Sequence, residues 1–363
     1  MTDIRIKTNT GTYIGNLSDG IKEFLGIRYA APVGFWEFPK PPKTTSKDII
    51  DATEYGPACL QPETPDELSS LGLTSNDCLT LNIWTKNNNK KNKPVMLYIH
   101  GGSYCNGGNN DPITCGKNLL YSLPEEEDAV IVKINYRVGI FGCFDLSVLE
   151  GYNEDYKHSL ALHIIDQITA LRWVHENIES FGGNPGNVTL FGQSAGSMSI
   201  AYLMVNDEAR QYFNRAIMQS GIPGFGLATK EAKHKLAEDF FKELGIAKIN
   251  QIQKLDDDFW HKRYTEIFMK YAGAICPRTA DGIYIKDTLW SDFAAGKASD
   301  ISLMIGATTG EMDCYYHDMT EPEKINTPDN ILDMLYTMYD PCGNPKGQIT
   351  PYGKDMCINR YVN

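Results

Sequence analysis

A serine lies between two glycines in the segment Gly192–Gly196 (GQSAG), which matches the pattern G-x-S-x-G. In a nucleophile elbow, this pattern places the serine on a tight turn between a strand and a helix, so that its hydroxyl can attack a carbonyl carbon. Glycines suit such a turn because the strand and the helix approach closely around a strained backbone. The match alone is weak, since a chain with 32 glycines can contain one by chance. Ser194 becomes a candidate nucleophile only if the flanking elements are right.

A second glycine-rich segment, His100–Ser103 (HGGS), could supply a complementary part of the same chemistry. Backbone N–H groups in such a loop can stabilise the oxyanion that forms when a nucleophile attacks a carbonyl group. The N–H of Ala195, directly after the candidate nucleophile, would complete this oxyanion hole. The alternative is an ordinary glycine turn that leads from a strand into a loop.

Short apolar runs precede both segments and predict buried strands. Val95–His100 comes before the glycine loop and Val188–Phe191 before the serine, whereas Met198–Met204 after the serine is a helix-forming stretch. Further runs of this kind are Ala129–Asn135, Ala216–Gln219 and Leu303–Gly306. Continuous apolar runs are typical of strands covered on both faces, so we predict a mostly parallel sheet.

Helical patterns alternate with these strands. Leu160–Ile178 has apolar residues at three- and four-residue steps, which predicts an amphipathic helix. Residues 228–270 predict further helices outside the sheet, with a break near Gly245. Ile4–Ile27 alternates between polar and apolar residues and predicts a small antiparallel meander ahead of the main sheet. The fold class is therefore α/β.

Six segments resemble, in the same order, the type-B carboxylesterases, the family of carboxylesterases and cholinesterases with the α/β-hydrolase fold. They are FLGIRYAAPVG (24–34), NDCLTLNIW (76–84), YIHGGSY (98–104), NYRVGIFG (135–142), FGGNPGNVTLFGQSAG (181–196) and FNRAIMQSG (213–221). The resemblance implies an α/β-hydrolase fold with helices on both faces of the sheet, as a single domain over residues 1–363. It also implies a serine hydrolase that cleaves carboxylic esters through an acyl-enzyme, without a metal or cofactor.

The resemblance also implies roles for individual residues. Ser194 corresponds to the nucleophile, and the amides of Gly102, Ser103 and Ala195 correspond to the oxyanion hole. Glu311 corresponds to the acid of the triad, because it follows the last predicted strand and a turn of small residues. For a glutamate after a glycine, the alternative is a solvated loop residue.

The family mechanism also needs a histidine that takes the proton of the serine and that follows the acid in the chain. Six of the seven histidines precede Glu311, and the seventh, His317, follows it too closely and lacks the family's following glycine. Residues 312–363 contain no clear strand. We therefore predict that the C-terminal strands and the histidine loop of the family are missing, which would leave an unpaired sheet edge. Such a chain would be inactive or very weak.

Composition limits the partners. The chain has 34 Lys+Arg against 46 Asp+Glu, a net charge of -12, which excludes a nucleic-acid binder and a polybasic membrane-surface protein. No apolar run is long enough to predict a transmembrane helix. The nine cysteines contain no CxxC pair and so indicate no zinc site. The expected partner is a small-molecule ester, with neither nucleic acid nor membrane, and the oligomeric state is left open.

The N-terminal segment has no apolar core of the kind found in signal peptides, so a cytoplasmic location is predicted. Cys59 and Cys78 fall where the family often has a disulfide-closed loop. Because disulfides are rare in the cytoplasm, the sequence leaves open whether this pair forms.

A non-catalytic binding protein on the same scaffold, like the cholinesterase-like adhesion proteins, is the alternative function. The lack of a matching histidine favours it. The retention of Ser194, the glycine loop and Glu311 favours the esterase.

Overall fold

The computed structural model describes residues 2–62, 71–124, 126–221, 228–275 and 278–311. The strands are β1 (Thr2–Lys7), β2 (Thr12–Ser18), β3 (Ile21–Arg28), β4 (Ile49–Asp51), β5 (Ala58–Cys59), β6 (Thr74–Ser75), β7 (Thr80–Lys86), β8 (Lys93–Ile99), β9 (Val130–Ile134), β10 (Gly183–Gln193), β11 (Arg215–Gln219) and β12 (Ser302–Gly306). The α-helices are α1 (Gly116–Ser122), α2 (Gly139–Gly142), α3 (Leu162–Asn177), α4 (Ala195–Val205), α5 (Lys230–Glu243), α6 (Ile249–Ile252), α7 (Asp257–Ile275) and α8 (Leu289–Ala294). Single turns of 3-10 helix cover Leu146–Val148, Glu154–Tyr156, Ile178–Phe181 and Ala209–Gln211.

One large sheet has the strand order β1-β2-β3-β7-β9-β8-β10-β11-β12, with β4 paired to β2, and β5 and β6 form a separate two-stranded sheet. The pairs from β9 through β8, β10 and β11 to β12 are parallel. The pairs β1/β2, β2/β3, β3/β7 and β7/β9 are antiparallel. The α/β class and all five predicted strands are confirmed. The predicted parallel sheet is present from β9 to β12, and the predicted antiparallel meander precedes it in the chain. The meander is hydrogen-bonded to β7, so it extends the same sheet, which is mixed as a whole.

Helices cover both faces of the sheet, as the resemblance implied. On β7 and β9 the side chains alternate between two clusters. Trp84 and Ile131 pack with Leu120 of α1 in a small cluster on one face. Ile83 and Val132 belong to the main core on the other face, together with residues of α3 and α4. The sheet is therefore held between two apolar layers, which fixes where its strands end.

Helix α3 confirms the periodicity prediction to within two residues at its start and one at its end. Most of its residues are buried, including Asp166 and Gln167, so it is enclosed in the core rather than half-exposed. The chain leaves it through a short 3-10 turn that ends at Gly182, whose φ of +91° suits glycine at such a stop. From there the chain enters β10, which leads to the candidate nucleophile.

Strand β12 is the last strand of the sheet within the described residues, and its apolar side chains are exposed. Leu303, Met304 and Ile305 have 48%, 65% and 61% of their surface accessible. The prediction that C-terminal strands are missing concerns residues 312–363, which lie outside the described residues, and it stays a prediction.

Cys59 and Cys78 form a disulfide, which settles the alternative that the sequence left open. Both half-cystines are buried, and the bond links β5 to the residue two positions before β7. Disulfides are most common in oxidising compartments. The cytoplasmic location therefore stays a prediction. None of the described helices is both long and apolar enough to cross a membrane.

Removing this bond should destabilise the protein measurably. Chain-entropy arguments give about 3 kcal/mol for closing a loop of this size, because the bond restricts the unfolded chain. We expect the double variant Cys59→Ala/Cys78→Ala to lose about that free energy of unfolding in urea titrations, relative to the oxidised wild type. Because Cys105 is also disulfide-bonded, a reductant would break more than this bond, so the control is Cys115→Ala, which removes a free thiol and should unfold near the wild-type midpoint. Equal midpoints for the double variant and Cys115→Ala would contradict the expectation.

Candidate active site

Four neighbouring parallel strands end at the edge of the sheet where the predicted site residues follow them. These strands are β8, β10, β11 and β12, which end at Ile99, Gln193, Gln219 and Gly306. The Ser194 N–H donates to the carbonyl of Gln219 over 2.9 Å, and the Ser220 N–H donates to that of Gly306 over 2.8 Å. These hydrogen bonds join the segments that follow three of the strands. In an open α/β sheet this edge is where ligands usually bind.

Ser194 is the single residue that connects β10, which ends at Gln193, to α4, which begins at Ala195. Its backbone has φ 55° and ψ −120°, a strained conformation for a residue with a side chain. The Ser194 carbonyl already accepts from the N–H of Met198 over 2.9 Å, so the helix begins at once. The residue is half-buried, and its hydroxyl makes no hydrogen bond to any other described residue. The predicted strand–turn–helix setting of this serine is thus present.

The glycines of the motif are required by close backbone contacts. A Cβ atom at Gly196 would overlap the carbonyl oxygen of Ile99 and lie 2.8 Å from its carbonyl carbon. A Cβ atom at Gly192 would lie 2.8 Å from the same oxygen. Strand β8 and the turn around Ser194 therefore touch backbone to backbone, which no larger residue would allow.

The glycine loop after β8 runs beside the serine. A Cβ atom at Gly101 would lie 3.3 Å from Cβ of Ser194. The next three residues, Gly102, Ser103 and Tyr104, have φ values of 101°, 54° and 61°. Two of these carry side chains, so the loop holds a costly left-handed conformation that its surroundings must stabilise.

The three predicted oxyanion-hole amides have no competing acceptor. Within the described residues, the N–H groups of Gly102, Ser103 and Ala195 donate to no backbone or side-chain oxygen. Ala195 is also the first residue of α4, where the helix dipole favours negative charge. These amides are therefore available to an anionic group beside Ser194.

Glu311 follows β12 on a turn and is half-buried. One of its carboxylate oxygens accepts from the backbone N–H of Thr308 over 2.6 Å, which fixes the side chain close to its own turn. The glutamate thus follows the strand next to β11 at the edge that carries Ser194. Its role as the acid of a triad stays a prediction.

Each of the six histidines that precede Glu311 has a hydrogen-bond or ring-packing partner other than Ser194. His100 and His163 are buried, and each uses Nδ1 to bond a carbonyl at 2.8 Å, that of Gly101 and Gly142 respectively. Burial lowers the pKa of His100 to about 4 and that of His163 to about 3. The other four contact Tyr284, Tyr212, Asp145 and Thr74; they are His158, His175, His234 and His261. His317 lies outside the described residues.

A family model described as the carboxylesterase family matches residues 2–340. The chain belongs to the carboxylesterase family. Para-nitrobenzyl esterase of Bacillus subtilis (strain 168) is 35% identical over 355 residues, which cover 92% of this chain and 68% of that esterase. Acetylcholinesterase of Bungarus fasciatus is 30% identical over 339 residues, which cover 85% of this chain and 53% of that enzyme. A solved carboxylesterase of Geobacillus stearothermophilus aligns with a TM-score of 0.80 at 28% identity, over 99% of this chain and 74% of that one.

These relatives confirm the α/β-hydrolase fold, and membership of the carboxylesterase family supports ester hydrolysis by a serine hydrolase as the chemistry. The chain spans about half to three quarters of the length of the relatives it matches. Within the described residues, no group of three or more His, Cys, Asp or Glu side chains is placed to hold a metal ion.

The residues that support the glycine loop of this carboxylesterase were not predicted from the sequence. Tyr104 packs against the side chains of Ser199 on α4 and Arg278 near the start of the last described segment. Its place directly after the glycine loop was an available signal. No sequence signal places Arg278 there, because it is distant in the chain and follows no motif.

Histidine burial predicts a specific pH dependence of stability. The unfolded chain binds a proton on His163 below its ordinary pKa of 6.5, whereas the folded protein does so only near 3. The free energy of unfolding should therefore fall as the pH drops from 6.5 toward 3, by up to about 1.4 kcal/mol per pH unit for this residue. Urea unfolding between pH 7.5 and 5 should show a shallower dependence for His163→Gln than for wild type. Replacement of the exposed His175 by Gln is the matched control, and parallel curves for wild type and His163→Gln would contradict the assignment.

Proposed function

We propose that this chain is a serine hydrolase that cleaves small carboxylic esters through an acyl-enzyme on Ser194. One observation carries the proposal: a serine on a strained turn contacts the glycine loop at Gly101, and the N–H groups of Gly102, Ser103 and Ala195 have no acceptor among the described residues. Membership of the carboxylesterase family supports the same chemistry. A serine held at the end of a central strand, next to donors for an oxyanion, suits acyl transfer.

In the proposed reaction, Oγ of Ser194 attacks the ester carbonyl carbon and its proton passes to a base. The carbonyl oxygen becomes negative and accepts hydrogen bonds from the amides of Gly102, Ser103 and Ala195. The carbon–oxygen bond to the alcohol then breaks, and the alcohol leaves with the proton from the base. Water attacks the acyl-enzyme in the same way, releasing the carboxylic acid and restoring the serine.

Glu311 is proposed to orient and stabilise the base, as the acid does in serine hydrolase triads. Its place after β12, at the edge where β10 and β11 also end, supports this role. The base itself is not among the six histidines that precede Glu311, since each bonds or packs elsewhere. The slow step in this polypeptide is therefore expected to be the removal of the Ser194 proton.

Covalent labelling tests the nucleophile directly. We expect a fluorophosphonate probe, given hours to react, to modify wild-type protein at Ser194, as located by peptide mass spectrometry. Ser194→Ala should abolish labelling. Ser197→Ala is the matched control on the same helix: its hydroxyl bonds the carbonyl of Gly221, so labelling at Ser194 should continue. Wild-type protein that remains unmodified would refute the proposal.

A non-catalytic binding protein is the second candidate, favoured by the lack of a described histidine in contact with Ser194. The strained turn and the free amides argue against it, because binding alone requires neither. Pull-down of a partner by wild type and Ser194→Ala alike, with no labelling of wild type, would favour this alternative.

A further inference from the structure

The two parts of the proposed oxyanion hole lie on different elements. Gly102 and Ser103 belong to the loop after β8, whereas Ala195 begins α4. Donors to an oxyanion must converge on one point, so the loop and the helix have to be held in a fixed relation. The loop is strained at Ser103 and Tyr104, with φ values of 54° and 61°, and it would relax if nothing held it.

Tyr104 is the residue that connects them. It directly follows the donor Ser103, and its side chain is 6% exposed. The hydroxyl of Tyr104 accepts from Oγ of Ser199 over 3.1 Å, and Ser199 is a fully buried residue of α4. Ser199 in turn accepts from Nε2 of Gln167 on α3 over 3.1 Å. A chain of buried hydrogen bonds thus runs from the loop through α4 to α3.

The ring of Tyr104 also contacts buried groups. The guanidinium of Arg278, 2% exposed, lies 4.8 Å from the ring centroid, and a nitrogen of it is 3.5 Å from the hydroxyl. A cation over an aromatic face is worth most when both are removed from water. The ring of His163 packs edge-on against the Tyr104 ring, with the two centroids 5.0 Å apart. The Tyr104 carbonyl accepts from the N–H of Gly139 over 2.6 Å.

We propose that Tyr104 is a positioning residue, which joins the loop amides of the oxyanion hole to the Ala195 amide through its contact with Ser199 and its stacking under Arg278. This inference rests on the proposed function for its catalytic meaning. Tyr104 itself touches no reacting atom. Tyr104 acts by fixing the orientation of the Gly102 and Ser103 N–H groups.

The test compares Tyr104→Phe, which removes the hydroxyl and keeps the ring, with wild type. Tyr202→Phe is the matched control: Tyr202 is also buried, lies on α4 and faces the same guanidinium at 5.3 Å, but its hydroxyl has no partner in the described part of the chain. Labelling rates at Ser194 are measured with a P=O fluorophosphonate and with its P=S analogue, in which sulfur accepts hydrogen bonds poorly. Tyr104→Phe should slow labelling by the P=O probe about tenfold and the P=S probe much less. Tyr202→Phe should leave both rates unchanged.

Ser199→Ala is the second variant, should Tyr104→Phe fail to fold, and it should reproduce the selective loss. Equal loss with both probes, or rates for Tyr104→Phe that match Tyr202→Phe, would overturn the inference. Hydrogen exchange of the amides at residues 101–107, followed by mass spectrometry, is the readout that needs no labelling. Faster exchange in Tyr104→Phe than in Tyr202→Phe supports the inference, and equal exchange overturns it. An unlabelled wild type refutes the proposed function alone, because the exchange comparison still decides whether Tyr104 holds the loop.

Discussion

The 363-residue polypeptide is expected to hydrolyse p-nitrophenyl acetate about 10⁶-fold more slowly than the roughly 10 s⁻¹ that is typical of enzymes. The reason is that no histidine of the described residues is in contact with Ser194: serine hydrolases that lose their histidine lose about this factor in kcat, because the serine proton then has no acceptor. Each of the six histidines before Glu311 bonds or packs against a group other than the Ser194 hydroxyl. The measurement is the initial rate of p-nitrophenol release at pH 8, after subtraction of spontaneous hydrolysis.

Ser194→Ala provides the baseline for this measurement, since any remaining rate above it depends on the nucleophile. Turnover of wild type at ordinary esterase rates would contradict the prediction. It would direct attention to His317, which lies after Glu311 and outside the described residues. His317→Gln would then show whether that histidine is the base.

Gly196→Ala is expected to lower the free energy of unfolding by about 3 kcal/mol and to abolish labelling of Ser194. The added Cβ would overlap the carbonyl oxygen of Ile99 and lie 2.9 Å from that of His100, and backbone atoms of a central strand cannot move aside. The helix would be displaced from β8, and with it the Ala195 amide and the serine. A misplacement of about 1 Å can cost a hundredfold in rate. Urea unfolding measures the first effect and the labelling rate measures the second.

Gly186→Ala is the matched control, on the strand β10 that leads into the turn before Gly196. Gly186 is exposed, and a Cβ atom there would meet only the side-chain oxygen of Asn184 at 3.3 Å, which needs to shift by only a few tenths of an ångström. Its stability and labelling should stay close to wild type. If Gly196→Ala had the same free energy of unfolding and the same labelling rate as Gly186→Ala, the close contact between β8 and the turn would not constrain the residue at position 196.

Much of the fold was predictable because its signals are local. Apolar runs such as Val188–Phe191 mark buried strands wherever they lie in the chain, and the periodicity of Leu160–Ile178 marks a helix. The pairing of strands was less predictable, since it depends on contacts between distant segments. The alternating segment Ile4–Ile27 was correctly assigned to strands, yet only tertiary pairing of β3 with β7 joined those strands to the main sheet. The disulfide between Cys59 and Cys78 was likewise left open until their positions were known.

The sequence by itself determined the family and the two segments that meet at the candidate site, because Gly192–Gly196 and His100–Ser103 carry their turn geometry in their own residue types. Only the tertiary structure decided that the amides of the proposed oxyanion hole are free within the described residues, and that His100 and His163 are buried and bonded to backbone carbonyls. It alone placed Arg278 over Tyr104. The physical reason is the separation in the chain between the groups that interact. Glycine spacing constrains the backbone dihedrals of neighbouring residues. Burial, and the contact of a cation with a ring distant in the chain, arise only when separate elements pack together.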